Sequence, residues 1–350
     1  MNRLRSERGI ALVAAIVALV LVGGMVAGSM FIALQEQRVG RNMVRQQQAF
    51  WAAETAALEP VTVWGASVYR DLAVGGITTA TGTTTTGWYR YTIRRLNHVL
   101  YLSQADGFSW DLASRQRVAM LLRLRPLPVN IDAALKTLDP PSLGGSSDVT
   151  GADVQPANWT ACPAPGPAMP AVWVPDPGGP PGCGLRCLFG DLPSFDSLRS
   201  YATKTVHPAG RAVIVRPSQS GATCHTGDPY NWGDPGDPSG ACGSYFPAIW
   251  VESDLSLDGL RGQGVLMVNG DLTLGGGFEF VGPVLVRGTL RTFGMGARIT
   301  GGVIAGAVFL DQSGVLGRTV IQFSSCAVSR ALTGSAVLVP LVERGWTELY

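Results

Sequence analysis

Apolar positions are distributed along this chain in four different ways, and each predicts a different element. From Ile10 to Leu34 the distribution is continuous: IALVAAIVALVLVGGMVAGSMFIAL carries no charge over 25 residues. That exceeds the roughly 20 residues a helix needs to cross a bilayer. From Gln35 to Glu59 the pattern becomes a stripe. Val39, Met43, Phe50, Ala53, Ala57 and Leu58 recur near helical spacing among Gln, Glu, Arg and Ala. These are good helix formers, and no proline intervenes before Pro60, so one helix is predicted over Ile10–Glu59. At 1.5 Å per residue it is about 75 Å long. Gly23, Gly24, Gly28 and Gly40 are its weak points. Gly24 and Gly28 also form a small-xxx-small pair that admits a second helix closely.

Beyond Pro60 the pattern shortens to strand length. WYRYTI (88–93), VLYLS (99–103) and QRVAMLLRLR (116–125) predict a small antiparallel sheet, with Arg94–His98 as a turn. A short helix is the alternative for 116–125. The helical extension is the natural cover for one face of the sheet. Thr78–Thr86 (TTATGTTTT) is expected to be a solvated loop. Residues 126–190 are dense in Pro and Gly and predict a long irregular insertion, followed by one short helix over Pro193–Thr203.

The fourth distribution is a repeat. Gly264, Gly270, Gly276, Gly282, Gly288 and Gly294 stand six residues apart; Thr300 breaks the series and Gly306 resumes it. Between them Val268, Leu272, Leu274, Phe278, Phe280, Val284 and Val286 occupy even positions, which share one face of a strand. Three six-residue units make a coil of 18, on which VLMVNGDLTLGGGFEFVG superposes PVLVRGTLRTFGMGARIT and then GGVIAGAVFLDQSGVLGR. WVESDLSLDG aligns one coil earlier at an interval of 17. The expectation is about four turns of a parallel β-solenoid with inward even positions throughout; a Gly-rich meander is the alternative. The last apolar run, AVLVPLVERG, contains Pro340 and reads as an edge strand or cap. The predicted fold class is therefore α+β: a transmembrane N-terminal helix, a small antiparallel sheet and a C-terminal solenoid. The divisions are 1–9 as a leader, 10–59, 60–125, 126–245, 246–330 and 331–350.

Composition narrows the function. Net charge is +2 and only 15% of residues are charged, which argues against a nucleic-acid footprint of clustered cations. No G-x-S-x-G, H-E-x-x-H, phosphate-cradling loop or acid–base dyad is present, so no enzyme, cofactor or metal is expected. Asp254, Asp271, Glu279, Arg287 and Arg291 are expected to solubilise the outside of the solenoid. Trp173, Tyr230, Trp232 and Trp250 mark either a binding surface or core. Six cysteines, Cys162, Cys183, Cys187, Cys224, Cys242 and Cys326, all follow the apolar segment. Export places them in an oxidising compartment, which favours disulfides over zinc. Cys224 with Cys242 is the favoured pair because it closes HTGDPYNWGDPGDPSGA. Asp228, Asp234 and Asp237 in that loop are calcium candidates, but their Asp-Pro and Asp-Gly pairs are also ordinary turn formers.

The start of the chain adds a resemblance. Arg3, Arg5 and Arg8 precede Gly9, and RGIALVAAIVAL, Leu34-Gln35-Glu36, Gly40-Arg41-Asn42 and QAFWAAETAAL (48–58) follow. These residues, about one seventh of the chain, resemble the N-terminal domain of PilX-type minor pilins of type IV pili. The resemblance implies cleavage by prepilin peptidase after Gly9 and methylation of Ile10. It also implies packing of the helix with other pilins in a filament core, through Gly24, Gly28, Phe50 and Glu54. The N-terminus would be cytoplasmic, the helix in the inner membrane and the bulk exported to the periplasm, cell surface or pilus. Major pilins carry an acid at the fifth mature position, where this chain has Ala14. That departure implies a minor or tip component or a pseudopilin. The runner-up is a single-pass anchored surface protein whose solenoid binds or processes cell-wall polysaccharide. A cleaved secretory signal fits poorly, because its apolar region is usually only about 7–15 residues.

Overall fold

The computed structural model describes residues 7–64, 69, 72–160, 162–176, 184–190, 192–208, 213–311, 318–342 and 346–349. The chain divides into two compact units. The first is built on helix α1 (Glu7–Thr62) and four antiparallel strands: β1 (Ile77–Thr83), β2 (Gly87–Arg95), β3 (Leu100–Ser109) and β4 (Arg115–Arg125). A strand from the chain's end, Trp346–Leu349, pairs antiparallel with β4. Alternation sets the two faces of the sheet. Tyr89, Tyr91, Ile93, Tyr101, Ala105, Val118 and Leu122 are buried, beneath a helix whose Ala49, Ala52, Ala53, Ala56 and Ala57 are all 0% exposed. Small residues on α1 allow the close approach. It is closest at Gly107, where an added Cβ would lie 2.0 Å from the Ala49 carbonyl oxygen.

Three local expectations change here. The helix passes Pro60 and ends at Thr62; a proline in the last turn removes little of the helix's bonding, so termination is delayed. The threonine run is not a loop, because Ile77–Thr83 forms edge strand β1. Threonine's β-branched side chain suits a strand, and Thr79 meets Thr92 across the pair at 3.2 Å. Only Thr84–Thr86 turns, with the Thr84 hydroxyl accepting from the Thr86 and Gly87 amides. The segment 116–125 is strand, not helix.

The second unit is a parallel β-solenoid of about four turns with covering segments. Its described elements, in chain order, are β5 (Leu135–Thr137), β6 (Ser142–Leu143), β7 (Asp148–Thr150), β8 (Val172–Trp173), α2 (Leu185–Phe189), β9 (Lys204–Val206), β10 (Gln219–Ser220) and β11 (Thr223–Cys224). Then follow β12 (Ala248–Val251), β13 (Leu255–Asp258), β14 (Arg261–Gln263), β15 (Val265–Val268), β16 (Leu272–Gly275), β17 (Phe278–Thr292), β18 (Ala297–Leu310), β19 (Val320–Phe323) and α3 (Ser325–Gly334); the next strand, β20 (Val337–Pro340), belongs to the six-stranded sheet, next to β4. A 3-10 helix, Phe195–Tyr201, lies within the predicted Pro193–Thr203.

Register defines the coil. Ala248 stacks on Val265 and Leu255 on Leu272, an interval of 17. Leu266 stacks on Val284 and Leu272 on Leu290, an interval of 18. Val284 stacks on Val303 at 19, while Leu290 stacks on Val308 at 18, across a bulge between Val286 and Thr289. The 19-residue interval explains the break at Thr300: the corner glycine has moved one place. Gly264, Gly282 and Gly301 form one corner, at φ of 112°, 131° and 149°. A Cβ on Gly282 would lie 2.0 Å from the Gly264 oxygen, so only glycine fits. Inward parity therefore does not hold throughout; it passes from even Val284 and Val286 to odd Val303 and Ala305.

A further expectation fails, and the reason is the burial of the solenoid's outer face. Residues 126–190 are not wholly irregular, and the solenoid is apolar on its outer as well as its inner face. β5, β6 and β7 extend the solenoid in parallel from β18 and β19, and β9 adds to β12 at the opposite end. Val265, Met267, Leu285 and Ile304 are 0% exposed. Phe195, on the 3-10 helix, packs 5.7 Å from Trp250 on that same sheet. The insertion thus supplies the second cover that a sheet apolar on both faces requires. Helix α3 falls where the sequence pattern predicts no element, although its start is marked: the Ser324 hydroxyl accepts from the Ala327 amide as an N-cap.

Candidate functional site

Helix α1 divides into two parts. From Ala11 to Val44 its side chains are exposed on every face, Leu19, Met25 and Phe31 among them. The helix is long and apolar enough to cross a membrane. From Ala49 onward one face is sealed against the sheet. The helix is thus at once half of a folded core and an uncovered apolar rod. The rod can lower its free energy only in lipid or against other helices.

Each expected residue has a place along it. Gly9 and Ile10 lie in the first turns of the helix, while the preceding leader residues 1–6 lie outside the described residues. A Cβ on Gly24 or Gly28 would meet nothing within 4 Å, so the close-approach surface is unoccupied within the single chain. Phe50 and Glu54 are half-buried beside the alanine seam; Phe50 packs edge-on against Trp51, which is itself exposed. Polar links among the described residues also tie the helix to the sheet and its β3–β4 turn. Tyr89 donates its hydroxyl to the Glu59 carboxylate, and Arg45 pairs with Asp111 at 2.7 Å. A hydrogen bond to a charged acceptor contributes about 1.5–3 kcal/mol, and Glu59 keeps some access to water here. Tyr89→Phe is therefore expected to destabilise the first unit by about 1 kcal/mol, read as a lower denaturant midpoint at an unchanged slope.

The cysteines form disulfides. Cys224 joins Cys242, and Cys162 joins Cys326. Cys187 is also disulfide-bonded, and Cys183 lies outside the described residues. The Cys162–Cys326 bond ties the insertion to α3, where the Asp153 carboxylate also accepts from the Ser325 amide and hydroxyl. The calcium candidates are committed to local bonds. Asp228 accepts from the Tyr230 amide. Asp234 accepts from the Gly236 amide and pairs with Arg261 at 2.9 Å, and Asp237 accepts from Ser239. No group of three or more His, Cys, Asp or Glu side chains is placed to hold a metal among the described residues.

The outward charges of the solenoid brace successive coils. Asp254 accepts from the Asp271 amide, and Asp271 accepts from the Thr289 amide one coil further. Burial pushes the Asp271 carboxyl up, but the Thr289 amide and Arg291 outweigh it and hold it below its ordinary value. Arg287 donates to Asn269 in the same way. Of the four aromatics, Trp232 and Trp250 are core, Trp173 is half-buried and Tyr230 is exposed.

No protein-family model matches the chain, and no curated protein matches it. Among solved structures it is similar to the competence-associated pilin ComZ from Thermus thermophilus. That match has 11% identity and a TM-score of 0.27, and covers 87% of this chain and 97% of that one.

Proposed function

We propose that this chain is a structural subunit of a type IV pilus or related secretion fibre, a PilX-like minor pilin or pseudopilin without catalytic activity. The observation that carries the reading is the double use of α1. Its C-terminal turns are sealed into a small sheet, while the preceding apolar turns stand uncovered behind a basic leader and Gly9. A signal sequence has no reason to be built into the core of the domain that follows it. Prepilin peptidase cuts after Gly9, Ile10 becomes the methylated N-terminus, and the rod passes from the inner membrane into a bundle of other pilins through Gly24 and Gly28. The β-rich remainder is presented outside. Ala14 leaves this subunit without a carboxylate to pair with a neighbour's terminal amine, which suits a minor or tip position, since a lone acid in hydrocarbon is costly.

Mass spectrometry of the mature N-terminus, from cells with and without prepilin peptidase, tests this. An N-methylated Ile10 that vanishes in the peptidase-deficient cells is expected. An intact Met1 in both would refute the reading and favour a permanently anchored surface protein whose solenoid engages polysaccharide.

A further inference from the structure

The turns at one end of the antiparallel sheet point back along α1 toward its apolar rod. Asp111, in the turn between β3 and β4, pairs with Arg45 at 2.7 Å, while Gly107 lies further along the helix, against Ala49 and Ala53. The turn between β1 and β2 is at the same end, because the Trp110 indole donates to the Thr85 carbonyl at 3.2 Å. This rim is apolar where its own domain gives no reason for it. Trp88 and Trp110 are each 48% exposed and meet edge to face at 5.6 Å, and Leu112, in the β3–β4 turn, is 65% exposed. Leu112 also sits at φ 56°, a left-handed conformation that is costly for leucine and that Gly, Asn or Asp adopts more readily. A strained residue that buries little in its own domain points to a contact outside it. The acids of the rim among the described residues, Asp106 and Asp111, are both paired with arginines.

The rod supplies the partner. Its 25 apolar residues span about 37 Å, against a hydrocarbon core of about 30 Å. A tilt of about 35° removes the surplus and lies within the range that membrane helices show. Arg45 stands about 34 Å along the axis from the middle of the rod, with the sheet on the order of 10 Å to one side. Upright, the rim would clear the headgroup layer by about 12 Å. Tilted toward its sheet, it comes down to about 22 Å from the mid-plane, the outer limit of the headgroups. We propose that Trp88, Trp110 and Leu112 form an interfacial foot, seated in the headgroup layer of the bilayer that α1 crosses, and that this contact fixes the direction of tilt. Indoles suit that layer because they combine a large apolar ring with a polar edge. Arg38 and Arg41, exposed on α1 between the rod and the rim, outnumber Glu36 there and favour anionic headgroups. The inference rests on the membrane-inserted state of the proposed subunit and not on its entry into a fibre.

The test places the full-length chain in nanodiscs of phosphatidylcholine and phosphatidylglycerol, brominated either near the headgroup or at the acyl end, and reads tryptophan quenching. Bromine near the headgroup is expected to quench, and bromine at the acyl end to quench far less. Trp88→Phe with Trp110→Phe should remove about half or more of the headgroup-proximal quenching. Trp51→Phe, an exposed change on α1 away from the buried alanines, should leave that quenching unaltered. Leu112→Asp, which suits the left-handed backbone, should keep the fold and weaken quenching of the two indoles by about twofold. Circular dichroism and co-elution with the disc confirm folding and insertion of each variant. An inserted chain whose quenching is the same with and without Trp88 and Trp110 overturns the foot and leaves the membrane anchor standing. Indoles that bromine does not reach, yet that are shielded from iodide in the discs, overturn it in favour of a second copy of the chain. A parent chain that does not enter the discs overturns both the foot and the membrane-inserted state on which it rests.

Discussion

Gly107→Val is expected to lift α1 off its sheet. A Cβ at this position would sit 2.0 Å from the Ala49 carbonyl oxygen, 2.3 Å from the Ala53 nitrogen and 2.9 Å from the Ala53 Cα. All three are helix backbone, so no side-chain rotation relieves the overlap. The helix must move by about an ångström or more, and the contacts along its alanine seam then fail together, because dispersion falls steeply with separation. The alanines have no longer side chain with which to follow the sheet. The cost is placed at about 3 kcal/mol or more, the upper end of overpacking in a well-packed core. The contrasting change is Gly40→Ala, where a Cβ meets nothing within 4 Å. It is expected to be neutral or to stabilise the helix by up to about 1 kcal/mol. Thermal melts of the two variants in one detergent check both. A Gly107→Val protein melting within about 2 °C of the parent would show that helix and sheet are not packed as described.

The same seam shows what is legible in the sequence and what is not. The length and continuity of α1 follow from composition and the absence of proline before Pro60, both local signals. The solenoid is legible because a corner repeated every coil demands glycine at a fixed interval, and even its irregularity is marked by Thr300 standing where glycine is expected. Long-range relations leave no such trace. β5 pairs with β18 through Leu135 and Val303, so the segment that extends the solenoid precedes it in a stretch whose prolines read as irregular. Trp250 and Met267 read as strand, but nothing nearby says that their outward face is buried, or that Phe195 and its helix pack on Trp250. The threonine run is ambiguous by nature: its hydroxyls suit loops and its branched carbons suit strands, and pairing with β2 decides. The row of Arg90, Asp106 and Arg117 is the strongest case. Arg90 and Arg117 are 27 residues apart in sequence and stand on either side of Asp106 once two hairpins have closed.

Asp311→Ala is expected to loosen the solenoid where β18 ends. Asp311 is 2% exposed and sits at φ 51°, a conformation that Asp and Asn tolerate better than most residues. Its carboxylate accepts from the Thr292 hydroxyl at 2.9 Å, the Ser147 hydroxyl at 2.7 Å and the Thr319 amide at 2.8 Å. One side chain thus joins β17, the turn before β7 and the approach to β19. Alanine would leave these donors buried without their acceptor and strain the backbone, at a cost of about 3 kcal/mol or more. Asn keeps the backbone conformation and one acceptor, and should cost less. Burial pushes the Asp311 carboxyl up, but Ser147, Thr319 and Thr292 together hold it below its ordinary value. A depressed folded pKa means that the ionised group contributes full stability above the unfolded value of about 3.9 and loses it as pH falls through the folded value. Asp271 and Asp106 are shifted the same way. The parent should therefore lose stability in acid below about pH 4, and Asp311→Asn should show a shallower loss there while matching its own neutral-pH midpoint more closely. Guanidinium midpoints measured across that range decide the matter. An Asp311→Ala cost below about 1 kcal/mol, or an Asp311→Asn acid limb as steep as the parent's, would remove Asp311 from the bonds that hold the coil ends together.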